Sequence, residues 1–299
     1  MTVYGLDYRP GPYQPTSRLQ RLWPLAWMEF RALFRRWWGI LLFVVCLGPV
    51  IVRLVMLLVW LGVLSFDGRA ARQAVREVPS ELQGFLPTNV AFYVEPVVAL
   101  EQGALFVLLM LTAMTGARAI AKDRATNALE LYWTRGISPL GYFLGKWWGS
   151  FLLLGCLTIA SPVLLWTTGS LLADDWSFFD DTAHFMPGVV AGLTVFTAVI
   201  SGLSLLVSAA SSSANVAMIL WCVLLGGSIA LSGAMWGLTE NEQYRQFNVF
   251  ECASTLARAC TGTVPGYGSV PGALTMLGAL AAALLVIVRR RLRTSEAIA

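Results

Sequence analysis

Charge is the property that this 299-residue sequence lacks most. Only 13% of its residues are Asp, Glu, Lys or Arg, whereas a soluble globular domain has about 25%. Hydrophobic residues make up 57% of the chain, which excludes an intrinsically disordered protein. The scarcity of charge argues against a soluble enzyme and favours a polytopic membrane protein.

Metal-binding side chains are scarce as well. His184 is the single histidine, and the five cysteines contain no Cys-x-x-Cys pair. Zinc and iron–sulfur sites are built from clusters of these residues. The chain is therefore expected to hold no metal and no cofactor of its own.

Motifs for ATP hydrolysis are also missing. Gly141 and Gly145 are separated by three residues, whereas the glycines of a phosphate-binding loop are separated by four. Trp147 follows Lys146 where a Ser or Thr would hold Mg²⁺. Nearly all acidic residues lie outside the apolar segments, so intramembrane catalysis is not expected either.

Long apolar runs, by contrast, are abundant. A helix needs about 20 apolar residues to cross a hydrocarbon core of about 30 Å. Six stretches qualify, approximately 39–65, 97–117, 147–172, 186–210, 214–236 and 271–288. The predicted fold class is an all-α integral membrane protein with six transmembrane helices within residues 39–288.

The segment before the first span, residues 1–38, combines basic and aromatic residues. Between residues 17 and 38, five arginines alternate with four tryptophans and two phenylalanines. This composition is typical of an amphipathic helix that lies in the headgroup region of a membrane. An N-terminal interfacial helix is therefore predicted.

Lys and Arg are distributed unequally between the loops, and this bias predicts the orientation. Of the 21 basic residues, 15 fall in residues 1–38, in the loop 118–146 and in the tail 289–299, while five fall in the opposite loops. Both termini and the loop 118–146 are therefore predicted to be cytoplasmic. The segment 237–270 is then on the outer side.

The loop 118–146 has the composition of a short amphipathic helix. Asp123 begins a polar turn, and the segment 136–139 breaks the helix before span three. Between them lie the apolar residues Leu129, Leu131 and Tyr132. Such a helix can lie on the membrane or dock into a groove of a soluble partner. The alternative is an ordinary loop whose charges only fix the topology.

The same loop resembles the cytoplasmic loop of the ABC-2 family of ABC transporter permeases. That family shows an acidic–basic start, a Gly-Thr-x-Glu run and a closing Gly-Lys before the third span. Three matches carry the resemblance: Asp123-Arg124, Glu130 and Gly145-Lys146. Asn127-Ala128 replaces the Gly-Thr pair, and Pro139 lies downstream of the usual proline.

The resemblance implies a function for this loop. In the family it forms a coupling helix that transmits motion from a separate ATPase subunit, and most members are exporters. The residues implied to make this contact are Asp123, Arg124, Asn127 and Glu130.

The resemblance also implies partners. Two ATPase subunits would bind ATP and Mg²⁺, and a second permease subunit, identical or a sister chain, would complete the pathway in a bacterial plasma membrane. Membrane lipids would surround the chain, and no nucleic-acid partner is expected.

Arg53 is a charged residue deep within the first predicted span. It lies roughly 20 Å along that helix, where a charged side chain costs a few kcal/mol unless it faces protein or water. It could belong to the translocation pathway or form a structural pair. Glu101, near the outer end of span two, is the candidate partner.

Cys252 and Cys260 lie in the outer segment 237–270. Eight residues of continuous helix would separate their Cα atoms by about 12 Å, and a disulfide needs less than about 7 Å. A bond between them therefore requires a break in the helix, and the sequence leaves this open. The family resemblance suggests a pair of half-inserted helices here, capping the pathway.

Gly141, Gly145 and Gly149 recur at every fourth residue near the start of span three. This spacing favours close approach of another helix, and a loose glycine turn is the alternative.

Two functions from different classes remain. The first is the permease subunit of an ABC transporter. The second is a non-transporting membrane anchor or assembly subunit of a larger complex, in which the loop 118–146 would be a docking surface.

Overall fold

The regular structure is entirely helical among the residues that the structure, a computed structural model, describes. These are residues 18–35, 37–63, 84–98, 104–129, 132, 137–173, 176–264 and 268–296. The α-helices are α1 (Arg18–Phe34), α2 (Trp37–Cys46), α3 (Gly48–Trp60), α4 (Val90–Val98), α5 (Ala104–Met114), α6 (Gly116–Ala125), α7 (Pro139–Thr158), α8 (Ala160–Leu172), α9 (Ser177–Ala183), α10 (Met186–Ala210), α11 (Ala214–Thr239), α12 (Val249–Ala259) and α13 (Val270–Glu296). The predicted all-α class is confirmed.

Five helical segments of this described part are long and apolar enough to cross a membrane. They are Trp37–Trp60, Pro139–Leu172, Met186–Ala210, Ala214–Thr239 and Val270–Arg289. They correspond to predicted spans one, three, four, five and six. Span two, predicted at 97–117, is divided between the end of α4, α5 and the start of α6, and residues 99–103 lie outside the described part. The count of six spans therefore stays a prediction.

Local side-chain caps begin several of these helices. The Ser138 hydroxyl accepts a hydrogen bond from the Gly141 amide at the start of α7, and Pro139 takes the first helical position, where no amide donor is needed. Ser213 and Asn248 cap α11 and α12 in the same way. Short polar residues before apolar runs therefore fix where these helices begin.

The fourth span, α10, lies at the centre of the fold. It packs against α6, α7, α12 and α13, and most of its residues are buried. The Thr158 and Thr197 hydroxyls, 2.6 Å apart, join α7 to α10. The first, fifth and sixth spans are more exposed.

The N-terminal helix α1 is amphipathic and packs against α7. Leu25 and Ala26 are buried, whereas Trp23 and Trp27 are exposed. Gly149 permits this contact, because a Cβ there would lie 2.8 Å from the Ala26 carbonyl oxygen.

Gly145 supports the same contact, since its Cβ would lie 2.6 Å from the Leu25 side chain. The close helix approach predicted from the glycine spacing is therefore confirmed at Gly145 and Gly149.

The boundaries of the predicted cytoplasmic loop need correction. The helix α6 continues to Ala125 and α7 already begins at Pro139, so both ends of the loop 118–146 belong to helices. Asp123 and Lys146 are consequently helical residues, and the connection itself is only 126–138. In the predicted basic tail 289–299, the helix α13 continues to Glu296.

The outer segment contains a 3-10 helix, Glu242–Phe247, and the α-helix α12 among its described residues. Residues Val249–Arg258 of α12 are all buried. Gly188 and Gly192 of α10 lie directly against the backbone of α12. The described outer segment thus contains the 3-10 helix and the buried helix α12, and the pair of half-inserted helices that the family resemblance suggests stays a prediction.

Candidate functional site: a buried charged junction

A cluster of charged side chains lies where α1, α6 and α7 meet. It consists of Glu29 of α1, Asp123 of α6, and Tyr142 and Lys146 of α7. The Lys146 side chain is 0% exposed, and the Glu29 and Asp123 side chains are 22% and 13% exposed. We call this set the inner junction.

Lys146 is the centre of the inner junction. Its Nζ contacts the Glu29 carboxylate and lies 2.6 Å from Oδ2 of Asp123. The Tyr142 hydroxyl donates a 2.8 Å hydrogen bond to the same Asp123 oxygen. A buried ammonium group is tolerated only when it is paired. Here the two carboxylates come from two other helices, so the ion pairs join three elements.

The sequence places these groups together through helix spacing. Tyr142 and Lys146 are four residues apart and therefore share one face of α7. Gly145 and Gly149 on the adjoining face let α1 approach, and this approach brings Glu29 against Lys146. The small residues and the charged residues thus act together at one helix contact.

The cytoplasmic end predicted for α6 is held by a second set of hydrogen bonds. Arg124 donates to the carbonyl oxygens of Ala209 and Ser211, at 3.0 and 2.8 Å. These carbonyls lie at the C-terminal end of α10, where helical partners are missing and a positive charge is favourable.

The Ser208 hydroxyl completes this set. It accepts 3.0 Å hydrogen bonds from the amides of Ile120 and Ala121 in α6. The last turns of α6 are therefore fastened to the turn between α10 and α11.

The predicted coupling residues have different surroundings. Asp123 and Arg124 are half-buried and engaged within the chain, whereas Asn127 is exposed. Glu130 lies outside the described residues. The contact with an ATPase subunit stays a prediction for all four.

Asn127 explains one departure from the family pattern. Its φ is +53°, in the left-handed region that glycine adopts freely and that Asn tolerates better than most other residues. It follows the end of α6 at the position where glycine commonly terminates a helix. Asn in place of the family's Gly is therefore compatible with the left-handed backbone at this position.

Arg53 is buried in the first span, with 3% of its surface exposed. Its guanidinium carbon lies 4.6 Å from the Phe85 ring centroid and 5.0 Å from that of Phe92, and Nη1 lies 3.5 Å from the Gly84 carbonyl oxygen. Arg53 therefore faces protein, as expected. Its candidate partner Glu101 lies outside the described residues. Among the described carboxylates, the negative charge of Glu95 in α4 attracts the Arg53 guanidinium.

A second buried cation lies near the opposite end of the helices. Arg258 of α12 donates through Nη1 to Glu251, 3.2 Å away, and through Nη2 to Glu95 of α4, 3.1 Å away. We call these three residues the outer junction.

Sequence reasoning missed both junctions, although two signals were present. Glu95 stands alone within an apolar run, and a charge in such a run usually marks a buried pair or a functional site. Glu29 lies on the predicted amphipathic helix, which needed a partner surface. Lys146 had been interpreted as a topological charge and as part of the closing Gly-Lys of the family pattern, and Arg258 only as a topological charge.

The sequence left a Cys252–Cys260 disulfide open, and the structure contains no bond between these two cysteines. Cys252 and Cys260 are both free thiols, joined by the unbroken helix α12. Burial, and to a smaller extent the Glu251 carboxylate, raise the pKa of the Cys252 thiol to about 11. The thiol form, which is unreactive in disulfide formation, therefore dominates at neutral pH, and Cys252 Sγ donates to the Gln246 carbonyl oxygen at 2.9 Å.

A cavity of about 750 Å³ opens between the 3-10 helix and the start of α13. Its lining combines the polar side chains of Asn241, Gln243, Gln246, Ser269 and Thr275 with the apolar ones of Phe247 and Met276. We call it the outer cavity.

A family model described as ABC-2 family transporter protein matches residues 71–288. The match covers well over half of the chain, including α6, α7 and the outer junction, whereas α1 and the first span lie before it. No curated protein and no solved structure matches the chain. The multi-pass helical fold agrees with a membrane transport component, and the chain belongs to the ABC-2 family of transporter proteins.

Proposed function

We propose that the chain is the transmembrane permease subunit of an ABC exporter in a bacterial plasma membrane, driven by a separate ATPase subunit. The family match supports the permease class. The inner junction supports the proposed coupling mechanism, because its ion pairs join the end of α6 to α1 and α7.

The mechanism begins at the connection 126–138, which the charge bias assigns to the cytoplasm. Asn127 is exposed there, beside helix ends that are firmly held. A force applied by an ATPase would move α6, and the Asp123–Lys146 pair would carry α7 along. Arg124 would pass the same displacement to the turn between α10 and α11.

The energy source is proposed to be two ATPase subunits that bring ATP and Mg²⁺. The segment closest to a phosphate-binding loop is helical here, and its Lys146 amine faces two carboxylates. An amine that is buried and paired in this way is not presented to a nucleotide phosphate.

A second permease subunit is proposed to pair with this chain along its exposed spans. In α11, a Cβ added at Gly226, Gly227, Gly233 or Gly237 would meet no atom within 4 Å. Glycines on an exposed membrane helix allow a second helix to approach closely. The outer cavity then provides a polar surface at the end of the pathway where cargo would leave.

The first experiment is affinity purification from native membranes in mild detergent, with mass spectrometry of the co-purifying chains. We expect a stoichiometric soluble ATPase with the wild-type chain and its loss with Glu130→Lys, because charge reversal would repel the partner surface. Glu242→Lys is the matched control, since Glu242 is exposed on the outer 3-10 helix.

Two results would contradict the proposal. Reproducible partners without an ATPase would favour a non-transporting anchor or assembly subunit. Equal loss of the ATPase with Glu130→Lys and Glu242→Lys would show that the connection 126–138 is not the contact.

A further inference from the structure

A cavity of about 360 Å³ lies between α1, the start of α2 and the point where α5 meets α6. We call it the inner cavity. Its volume lies within the range of roughly 300–1,000 Å³ that is common for small-molecule sites. Three cationic side chains line it: Arg35, which follows α1, and Arg118 and Lys122 of α6.

The charges in the inner cavity do not balance. Arg118 and Lys122 are four residues apart on one helix face, where like charges repel. Within the part of the chain that the structure describes, none of the three cations forms an ion pair.

Two carboxylates, Glu29 and Asp123, also line the inner cavity, but both contact Lys146. Counting Lys146, four positive charges face two negative ones. The surplus would be compensated by an anion, and three cations from two elements surround the space where it would lie.

Aromatic side chains indicate the depth of the inner cavity in the membrane. Trp37 and Trp38 at the start of the first span are exposed, as are Trp23 and Trp27 on α1. Exposed tryptophans concentrate at the headgroup level of a bilayer. Trp38 itself lines the inner cavity together with Met28. The cations and these apolar side chains therefore lie together at the expected depth of the lipid headgroups.

We propose that the inner cavity binds the phosphate group of an anionic phospholipid from the leaflet beside α1. Arg118 and Lys122 contact the phosphate from α6, and Arg35 contacts it from the end of α1. Guanidinium groups suit this role because they bind phosphate oxygens in pairs. The acyl chains extend along the exposed apolar surface of the first span. This site does not depend on the proposed transport function.

The test is native mass spectrometry of the purified full-length chain in detergent, with its co-purifying subunits. Dioleoyl phosphatidylglycerol is added, and dioleoyl phosphatidylcholine is added in a parallel titration. We expect phosphatidylglycerol to bind at least several-fold more tightly. The double variant Arg118→Gln/Lys122→Gln should lose roughly 25-fold in phosphatidylglycerol affinity, since each cation near an anionic lipid contributes about a factor of five.

Matched variants separate the inner cavity from general surface charge. Arg35→Gln, on the other element, should weaken phosphatidylglycerol binding several-fold. Arg31→Gln should leave it unchanged, because Arg31 is exposed on α1 but does not line the cavity. Equal loss with Arg31→Gln and Arg35→Gln, or no loss with the double variant, overturns the proposal.

A soluble phosphate compound is the other source of the same chemistry. Glycerol 3-phosphate is therefore titrated as competitor against phosphatidylglycerol. We expect weak competition at millimolar concentration, because the acyl chains contribute to lipid binding. If glycerol 3-phosphate binds as tightly as phosphatidylglycerol, or if phosphatidylcholine binds equally well, a lipid site for anionic headgroups is excluded.

Discussion

The inner and outer junctions share one design and differ in what they connect. Each places a buried cation between two carboxylates, Lys146 between Glu29 and Asp123, and Arg258 between Glu95 and Glu251. In the inner junction the three charged groups come from three helices. In the outer junction Glu251 and Arg258 lie on the same helix, so its two ion pairs join α12 to α4.

The choice of cation fits this difference. A lysine ammonium is a point charge that can accept carboxylates arriving from different directions, whereas the planar guanidinium of arginine directs its donors in a fixed fork. Lys146 therefore suits a place where several helices must stay together through a displacement. Arg258 suits a place where one helix is held in a fixed orientation.

The largest effect is expected when the inner cation is removed. Lys146→Met leaves Glu29 and Asp123 facing each other without compensation, which should cost about 3–5 kcal/mol of stability. Thermal unfolding of the purified chain, followed by size-exclusion chromatography, should show a large drop in melting temperature.

The triple variant Lys146→Met/Glu29→Gln/Asp123→Asn is the control for this prediction. It has no uncompensated charge and should recover most of the lost stability. If Lys146→Met unfolds at the wild-type temperature, the inner junction does not hold the three helices together.

A smaller loss is expected at the outer junction. Arg258→Met removes the cation beside the buried Glu251 carboxylate, whereas Glu95 is 32% exposed and can be solvated again. The cost should be about 1–3 kcal/mol, measured by the same thermal assay, and Glu251→Gln in the same chain should restore part of it.

ATPase co-purification distinguishes the two junctions further. Arg258→Met should retain the ATPase partner, because the outer junction is far from the connection 126–138 along the membrane normal in the proposed topology. Loss of the ATPase from a folded Arg258→Met chain would remove the functional distinction between the junctions.

The glycine contacts beside the junctions should show the smallest differences. Gly192→Ala brings a Cβ atom into a clash with the Ala257 carbonyl oxygen. Gly149→Ala places a Cβ atom 2.8 Å from the Ala26 carbonyl oxygen. Overpacking of this kind costs about 1–3 kcal/mol. Gly192→Ala should cost more, because α12 is buried on every side and α1 can shift outward.

Gly278→Ala is the control for the glycine variants, since a Cβ there meets nothing within 4 Å. It should be neutral or slightly stabilising, because alanine favours a helix more than glycine does. Equal thermal stability for all three variants would show that neither contact is tight.

Patterns within single helices were predictable from the sequence, and pairings between distant helices were not. Apolar length located five spans, and the spacing of Gly145 and Gly149 predicted a close helix contact. The identity of the partner, α1, depends on tertiary packing that brings Glu29 to Lys146 across 117 positions of the chain. A charge at the end of a span has the same sequence signature whether it faces water or a buried carboxylate.

The loop 118–146 shows the same limit at its ends. Asp123 and Arg124 were predicted to contact an ATPase subunit, and this stays a prediction; in the structure both form contacts within the chain. Hydrophobicity does not indicate that α6 continues to Ala125, because the last turns of this helix are polar. Their polar groups are stabilised by hydrogen bonds to the Ser208 hydroxyl and to a carbonyl oxygen of α10. Such partners become visible only once the helices are packed.

The turn between α1 and α2 restricts how the spans can move. Gly39 lies directly against the Leu33 carbonyl, leaving no space for a side chain, so α1 is bound tightly to the start of the first span. At the same time Glu29 binds α1 to Lys146 of the third span. The helix α1 therefore connects spans one and three, and in the proposed mechanism we expect these two spans to move together.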